Sequence, residues 1–158
     1  MLRELQVING KNIAADFKAK TTMKTGMAVV KDYTTKEAKF PTTGTADNLF
    51  LVNKERIPTG INTARTDFSD YDEEFVDVKV GEFIKLPKYT DGEIIATDAV
   101  GTDAKKPTRG KVLMADTDGT WIDAASTVAS RYLYADDYID NGHALIKIQI
   151  LDTPIKNA

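Results

Sequence analysis

The sequence predicts an all-β protein, a small barrel or sandwich of short antiparallel strands, and three observations support this prediction. First, short apolar runs of strand length alternate with turn residues along most of the chain. Second, the chain is rich in threonine, valine and isoleucine, whose β-branched side chains favour strands over helices. Third, three Asp-Gly or Asn-Gly pairs lie between apolar runs, where such pairs typically close hairpins because both residues tolerate positive φ. These pairs are Asp91-Gly92, Asp118-Gly119 and Asn141-Gly142.

Residues 1–25 are predicted to form an N-terminal arm that is distinct from the rest of the chain. Asn9-Gly10 interrupts the segment early, and Ile13 and Phe17 follow at the i, i+4 spacing of one helix face. A helix this short is marginal on its own, so we expect it to be ordered against the body or against another molecule. Residues 1–40 hold eight Lys or Arg against four Asp or Glu, so this part of the chain is also basic.

Residues 26–158 are predicted to form a single β-rich domain, which suits a chain of 158 residues. The expected strands are apolar runs or alternate between apolar and polar residues. They are 27–30, 49–52, 76–80, 111–114 and 146–150. Two further runs, Phe83–Leu86 and Glu93–Thr97, are expected to form a hairpin with a longer loop. One stretch, Asp123–Ala129, is expected to be helical, with Asp123 as its N-cap.

One long irregular stretch, from Glu55 to Glu74, interrupts the predicted strands. Loops of this length are uncommon inside a compact domain and are typically functional or ordered by a partner. Its second half is acidic, and residues 41–104 hold six Lys or Arg against thirteen Asp or Glu. A basic segment followed by an acidic one suits head-to-tail contact between copies or docking on a charged partner. Chance clustering on a solvated surface accounts for the same counts equally well.

The residues that most enzymes need are nearly absent from this chain. It has no cysteine and only one histidine, His143, so thiolate chemistry and a histidine pair on a metal are excluded. We therefore expect no enzymatic activity and no cofactor. The N-terminus lacks the apolar core of a signal peptide, and no apolar stretch is long enough to span a membrane. The basic segment shows no aromatic-rich basic patch, so nucleic acid is not expected as a partner either.

Two acidic motifs suggest enzymes, and neither interpretation is favoured. Val112–Thr120 resembles the first motif of haloacid-dehalogenase-type phosphatases, which would make Asp116 the nucleophile and Asp118 the acid/base. Too little chain follows for the rest of that site, so we expect a hairpin here. Asp136–Asp140 matches the Asp-Asp-x-x-Asp string of terpene synthases, but these are all-helical proteins, and a polar loop is expected instead.

Two binding motifs are also weighed. Asp67–Glu74 offers hard oxygen ligands to Ca²⁺ but lacks the glycine and the closing glutamate of an EF-hand. Trp121, Tyr132 and Tyr134 could form a platform on which a sugar stacks. Aromatic residues in a β-protein more often belong to the core or to a subunit interface.

Several stretches from residue 26 onward resemble a known kind of protein. Gly26–Asp32, Ala46–Gly60, Asp67–Phe75 and Val80–Phe83 are similar to parts of a capsid-associated decoration or cement protein of tailed phages that infect Gram-positive bacteria. The resemblance covers residues 26–123. It implies a non-enzymatic head protein that is β-rich, often oligomeric, and equipped with extensions that reach across capsomers.

The function expected from the residues and the resemblance together is that of a structural virion protein. It would bind the outer surface of a phage capsid lattice, assembled in the bacterial host cytoplasm, with the major capsid protein as partner and with itself as a homo-oligomer. The alternative is a carbohydrate-binding module, such as one in a phage fibre. The expected partner contacts come from the arm and the long loop. They are Ile13, Phe17, Lys18, Arg56, Ile57, Asp70 and Tyr71.

Overall fold

The computed structural model describes residues 1–11, 13–54, 69 and 71–158, and in these ranges the protein is all-β, as the sequence predicts. The strands are β1 (Leu2–Gln6), β2 (Phe17–Ala19), β3 (Met23–Lys24), β4 (Ala28–Asp32), β5 (Glu37–Lys39), β6 (Phe50–Leu51), β7 (Asp77–Val78), β8 (Phe83–Ile84), β9 (Ile94–Thr97), β10 (Val112–Ala115), β11 (Trp121–Asp123), β12 (Ala129–Asp140) and β13 (His143–Lys156). The helical elements of these ranges are α1 (Glu73–Val76) and a 3-10 turn, Asp103–Lys105. None of the helices described has the length and apolar character needed to cross a membrane.

The larger sheet has six antiparallel strands in the order β1-β9-β13-β12-β10-β11. Its centre is the long β12–β13 hairpin, which Asn141 and Gly142 close with φ angles of 48° and 82°. Two successive positive φ angles define a type I′ turn, the form whose twist matches that of the strands. The Asp118-Gly119 pair lies in the turn that joins β10 and β11, but here only Gly119 of the pair has a positive φ, 81°, and its amide donates to the Asp116 carbonyl at 3.0 Å. The sequence prediction of hairpins at these two pairs is therefore confirmed.

The second sheet has five strands in the order β6-β4-β5-β2-β8 and curls into a small barrel. Its two edges are joined, because Asn53 forms a bridge with Lys85 and the Leu51 amide donates to the Pro87 carbonyl over 3.0 Å. The β2–β5 pair is parallel and the other pairs are antiparallel. Fully buried apolar side chains fill the interior. They include Phe17, Val29, Ala38, Val52, Ile84 and Leu86.

The barrel packs against one face of the six-stranded sheet through a second apolar core. Ala28 and Leu51, on the outside of the barrel, meet Trp121 and Ile148 of the sheet there. Gly26 lies at this junction with a φ of 96°, and its carbonyl accepts a hydrogen bond from the indole of Trp121 at 3.2 Å. A Cβ on Gly26 would lie 2.2 Å from a Thr97 oxygen, so only glycine fits.

The predicted helix around Ile13 and Phe17 is wrong. Ile13 lies in irregular chain, and Phe17 begins β2 with its ring inside the barrel. Residues 2–6 form the edge strand of the six-stranded sheet, so the segment expected to be an arm contributes strands to both sheets. Two apolar residues at i, i+4 are a weak local preference, and the burial available in the barrel outweighs it.

A buried carboxylate fixes part of the same segment to the body. Glu93 is fully buried and accepts hydrogen bonds from the Ile8 and Asn9 amides, at 3.0 and 3.1 Å, and from the Lys11 ammonium. Burial by itself would raise the pKa of Glu93, but Lys11 and the backbone amides together lower it to about 2. The clamp replaces water around an ionised group and so holds residues 8–11 against the start of β9.

Three other local predictions are wrong. Asp123–Ala129 is not helical, because β11 ends at Asp123 and a turn leads directly into β12. Phe83–Leu86 and Glu93–Thr97 do not form a hairpin, since β8 joins the barrel while β9 joins the six-stranded sheet. In the predicted 76–80 strand, Val76 ends α1 and only Asp77–Val78 is extended. In each case the local sequence pattern is compatible with both the predicted and the observed structure, and long-range packing decides between them.

Candidate partner-binding surface

One end of the barrel brings lysines and aromatic rings together. Lys31, on β4, points toward the barrel interior, and its ammonium lies 4.8 Å from the centre of the Phe17 ring. It lies 4.2 Å from the centre of the Phe50 ring on β6. An ammonium placed over a ring face is attracted by the ring quadrupole, and the lysine stem covers apolar surface. Lys31 is thus half-buried and covers the Phe17 and Phe50 rings at this end of the barrel core.

The β4–β5 turn adds a second lysine and an exposed ring. Asp32 shapes the turn by accepting hydrogen bonds from the Thr34 and Thr35 amides, at 3.0 and 3.2 Å. Tyr33 is 64% exposed and packs edge-on against Phe17, with ring centres 5.5 Å apart. Lys36 places its ammonium 5.5 Å from the centre of the Phe17 ring.

The neighbouring strand edge supplies a third lysine and a second exposed ring. Lys18 pairs across the sheet with Phe83, and its ammonium lies 5.1 Å from the centre of that ring. Phe83 is 54% exposed, which is unusual for a phenylalanine outside an interface. The Lys18 amide also donates to the Lys36 carbonyl, so these two lysines are close in the fold. We call this set the lysine–aromatic surface. It consists of Phe17, Lys18, Lys31, Tyr33, Lys36, Phe50 and Phe83.

The lysines of this surface, Lys18, Lys31 and Lys36, form no ion pair with the carboxylates that the structure describes. Other lysines of the barrel are paired, Lys20 with Glu37 at 3.4 Å and Lys39 with Asp32 at 3.1 Å. Among the described residues, the surface therefore combines lysines that lack an ion-pair partner with exposed aromatic area.

Burial affects the charge of Lys31. It lowers the pKa of Lys31 below the ordinary value for lysine, and the Asp16 carboxylate opposes part of that shift. A partner carboxylate would favour the ammonium form and so gain more from Lys31 than from a fully hydrated lysine.

The partner contacts predicted from the sequence are only partly brought together. Phe17 and Lys18 belong to the lysine–aromatic surface, although Phe17 is only 3% exposed and supports the surface from beneath. Ile13 is half-buried in the irregular chain before β2. Arg56, Ile57 and Asp70 lie outside the described residues.

Tyr71, the remaining predicted contact, lies at the tip of the β12–β13 hairpin. Its hydroxyl donates to Asp140 at 2.8 Å, and its ring stacks on His143 with centres 3.7 Å apart. Asp140 also pairs with Arg3, whose Nε lies 2.6 Å away. Burial and the hydrogen bond to Asp140 raise the pKa of Tyr71. This cluster joins three segments of one chain, and within it the charge of Asp140 is paired with that of Arg3.

The acidic residues of the two enzyme-like motifs mostly belong to turns and strands of the fold. Asp116 ends the β10 side of a hairpin and pairs with Lys105, and Asp118 accepts the Thr120 amide at 2.9 Å. Asp136–Asp140 is not a polar loop but the end of strand β12. The predicted calcium motif includes Asp67 and Asp70, which lie outside the described residues.

The side chains of Trp121, Tyr132 and Tyr134 are all buried, as expected of core aromatic residues, so they do not form the alternative, a platform on which a sugar stacks. Trp121 is completely inaccessible and packs on Tyr132 with ring centres 4.8 Å apart. Alternation along a strand predicts which residues share a face, but the barrel covers this face. No flat aromatic ring of this set is open to a ligand.

Sequence reasoning missed Lys31, Tyr33, Lys36, Phe50 and Phe83. The available signal was the excess of lysine over acid in residues 1–40, but the sequence does not show which lysines find a carboxylate in the fold. The surface that results can attract an acidic partner and bury aromatic area against it. No family model, curated protein or solved structure matches this chain.

Proposed function

We propose that this chain is a structural virion protein that binds the outer surface of a phage capsid lattice, decorating or stabilising it, and that the lysine–aromatic surface is its contact with the major capsid protein. The resemblance of residues 26–123 to phage decoration proteins supports the choice of partner. The lysine–aromatic surface carries the proposal.

The chemistry of this surface suits attachment to an acidic protein lattice. Lys18 and Lys36 speed the encounter with a negatively charged surface, because their charge is not neutralised within the described part of the chain. Tyr33 and Phe83 then provide apolar area that slows release. Aromatic side chains are enriched at the centre of protein interfaces for this reason. The target patch on the capsid protein is accordingly acidic with an apolar centre.

A non-enzymatic role is favoured by the use that the fold makes of its reactive side chains. His143 stacks on Tyr71, Asp116 pairs with Lys105, and Glu93 holds the N-terminal segment. Each of these contacts stabilises the fold. The proposed location is the virion, with copies added to heads in the host cytoplasm, and attachment as a homo-oligomer would multiply the weak contribution of each copy.

The alternative function, a carbohydrate-binding module, receives less support. Such modules commonly present flat aromatic rings to the sugar, and Trp121, Tyr132 and Tyr134 are buried here. The exposed rings, Tyr33 and Phe83, are accompanied by lysines rather than by the mixed donors and acceptors that hydroxyl groups need.

Cosedimentation with DNA-filled heads assembled without this chain tests the proposal. Lys18→Glu with Lys36→Glu should weaken attachment at least about tenfold, because two attractive charges become repulsive. The matched control is Lys106→Glu with Lys156→Glu, which changes the net charge equally at exposed positions outside the surface. Both variants should keep the far-ultraviolet dichroism of the wild type.

A second pair of variants separates apolar contact from charge. Tyr33→Ser with Phe83→Ser should weaken attachment as well, while Ile139→Ser, which removes a 73% exposed side chain elsewhere, should not. Raised salt should weaken the wild type only in part, since the aromatic contribution is not screened. If the wild-type protein fails to sediment with heads, or if both lysine pairs lose binding equally, the proposal is wrong.

A further inference from the structure

A small pocket lies where the barrel meets the six-stranded sheet. It has a volume of about 200 Å³. One wall is the turn before β6, with Asp47 and Asn48, and Lys88 follows β8 beside it. The opposite wall is the base of the long hairpin, with Arg131 and Tyr132 on β12.

An irregularity in the hairpin shapes the opposite wall. Tyr132 pairs with Ile150, but two residues earlier Ser130 pairs with Ile155. Residues 151–154 are therefore left out of the ladder, and Pro154 of this bulge lines the pocket. Bulges commonly re-aim side chains beside binding sites.

The hydroxyl of Tyr132 is the unusual group in this pocket. Two other buried tyrosines use their hydroxyls within the chain, since Tyr89 donates to Glu4 at 2.7 Å and Tyr134 donates to Asp137. Tyr132 is only 6% exposed, and none of the described residues forms a hydrogen bond with its hydroxyl. Tyr132 lines the pocket, and its hydroxyl is not one of the buried side-chain atoms that lack a partner, so this hydroxyl is open to a ligand that enters the pocket.

Burial and nearby charges set the protonation state of this hydroxyl. Burial raises the pKa of Tyr132 to about 12, with Arg131 lowering it and Asp47 raising it. The hydroxyl is therefore neutral at physiological pH and can both donate and accept. Asp47 and Arg131 line the same pocket and supply a hydrogen-bond acceptor and a donor to it.

The remaining polar groups are held in place and their charges balance. Arg131 pairs with Asp91 at 3.1 Å and donates to the Asp152 carbonyl. Lys88 donates to the Asn48 side chain at 3.3 Å. The two cations, Lys88 and Arg131, are thus offset by the carboxylates of Asp47 and Asp91. A pocket with no net charge does not favour an anion.

We propose that this pocket binds a small, neutral, hydroxyl-rich molecule of about the size of one sugar ring, with the Tyr132 hydroxyl, Asp47 and Arg131 as its hydrogen-bonding groups. The volume is below the roughly 300–1,000 Å³ typical of sites for drug-sized ligands. The pocket recognises the hydroxyl groups of the ligand through hydrogen bonds and not through stacking, because the Tyr132 ring packs against Trp121. This activity is independent of capsid attachment through the lysine–aromatic surface.

Titration of the full chain with D-glucose, N-acetyl-D-glucosamine and glycerol, followed by protein NMR, tests the proposal. At least one of these probes should shift the amide signals of Asn48, Arg131 and Tyr132 with millimolar affinity. Tyr132→Phe should bind about five- to tenfold more weakly, as expected for one lost hydrogen bond. This variant should also melt at the wild-type temperature or higher, because the lost hydroxyl has no partner within the described residues.

Tyr138→Phe is the matched control, since it removes the hydroxyl of another β12 tyrosine that does not line the pocket and should leave the sugar affinity unchanged. Asp47→Asn supplies a second test that keeps the size of the side chain and should weaken binding too. Wild-type binding that persists unchanged in Tyr132→Phe would overturn the proposal. So would the absence of any shift with all three probes, or tighter binding of inorganic phosphate to the same amides.

Discussion

The lysine–aromatic surface of the barrel and the tip of the β12–β13 hairpin both place cations beside aromatic rings, but among the described residues only the tip pairs its cation with a carboxylate. At the tip, Arg3 lies 5.9 Å from the centre of the Tyr71 ring and also pairs with Asp140. On the barrel, Lys18 and Lys36 lie over rings with no carboxylate partner among the described residues.

This difference separates an internal contact from an external one. The acid at the hairpin tip satisfies the cation and the tyrosine hydroxyl at once, so the cluster holds segments of the same chain together. Among the described residues, the ammonium groups of Lys18 and Lys36 gain the weak attraction of the rings, about 0.5–1 kcal/mol at an exposed site, and no ion pair. These lysines can therefore form ion pairs with the carboxylates of another molecule.

The largest expected effect distinguishes the crowded junction from the open tip. Gly119→Val should lower stability by about 3–5 kcal/mol, since a Cβ there would lie 2.6 Å from the Phe40 ring at a φ of 81°. Gly142→Val is the control with nearly the same φ, 82°, and nothing within 4 Å of its Cβ, so only about 1–2 kcal/mol should be lost. Thermal melting compares the two, and equal losses would mean that the junction is looser than described.

Acid should weaken the clamp that Glu93 forms on residues 8–11. Because the folded pKa of Glu93 is about 2 and its ordinary value is 4.5, the ionised carboxylate stabilises the fold above pH 4.5. That contribution, about 3 kcal/mol, should be lost as the pH falls from 4.5 to 2. Urea unfolding across this range measures it, and Glu93→Gln should be destabilised at neutral pH and nearly flat with acid. A wild-type curve as flat as that of the variant would contradict the clamp.

A smaller difference in stability is expected when the hydroxyl is removed from Tyr71 at the hairpin tip or from Tyr33 on the barrel. Tyr71→Phe removes the hydrogen bond to Asp140 and should cost about 1 kcal/mol in the free energy of unfolding, with head binding unchanged. Tyr33→Phe should cost nothing measurable, because its ring is exposed on the barrel. Urea denaturation at constant m-value decides this. Equal stability of both variants would show that the tip cluster does not hold the fold.

The smallest effect on stability should come from Lys31→Met. Methionine keeps a flexible apolar stem over Phe17 and Phe50 and removes a half-buried charge, so stability should change by less than about 0.5 kcal/mol. Attachment to heads should nevertheless weaken, because the variant lacks a positive charge that attracts an acidic partner. Unchanged attachment would remove Lys31 from the proposed contact and leave Lys18 and Lys36.

The sequence by itself determined the fold class and the hairpins closed by Asp118-Gly119 and Asn141-Gly142. These features depend on local chemistry, namely the preference of asparagine, aspartate and glycine for turns and the alternation of residues such as Ile146 and Ile148. Such preferences act within a few residues, so they can be read without knowing the rest of the fold.

Only the tertiary structure decided which sheet each short strand joins, and which charges find a partner. Phe83 and Ile94 both begin strands, but β8 closes a barrel and β9 pairs with β1 and β13. The carboxylate that neutralises Lys11 is 82 positions away in the chain, while Lys18 finds none among the described residues. Two- and three-residue strands have too little local preference to fix their partners, so the packing of distant side chains selects them. The lysine–aromatic surface is a product of that selection.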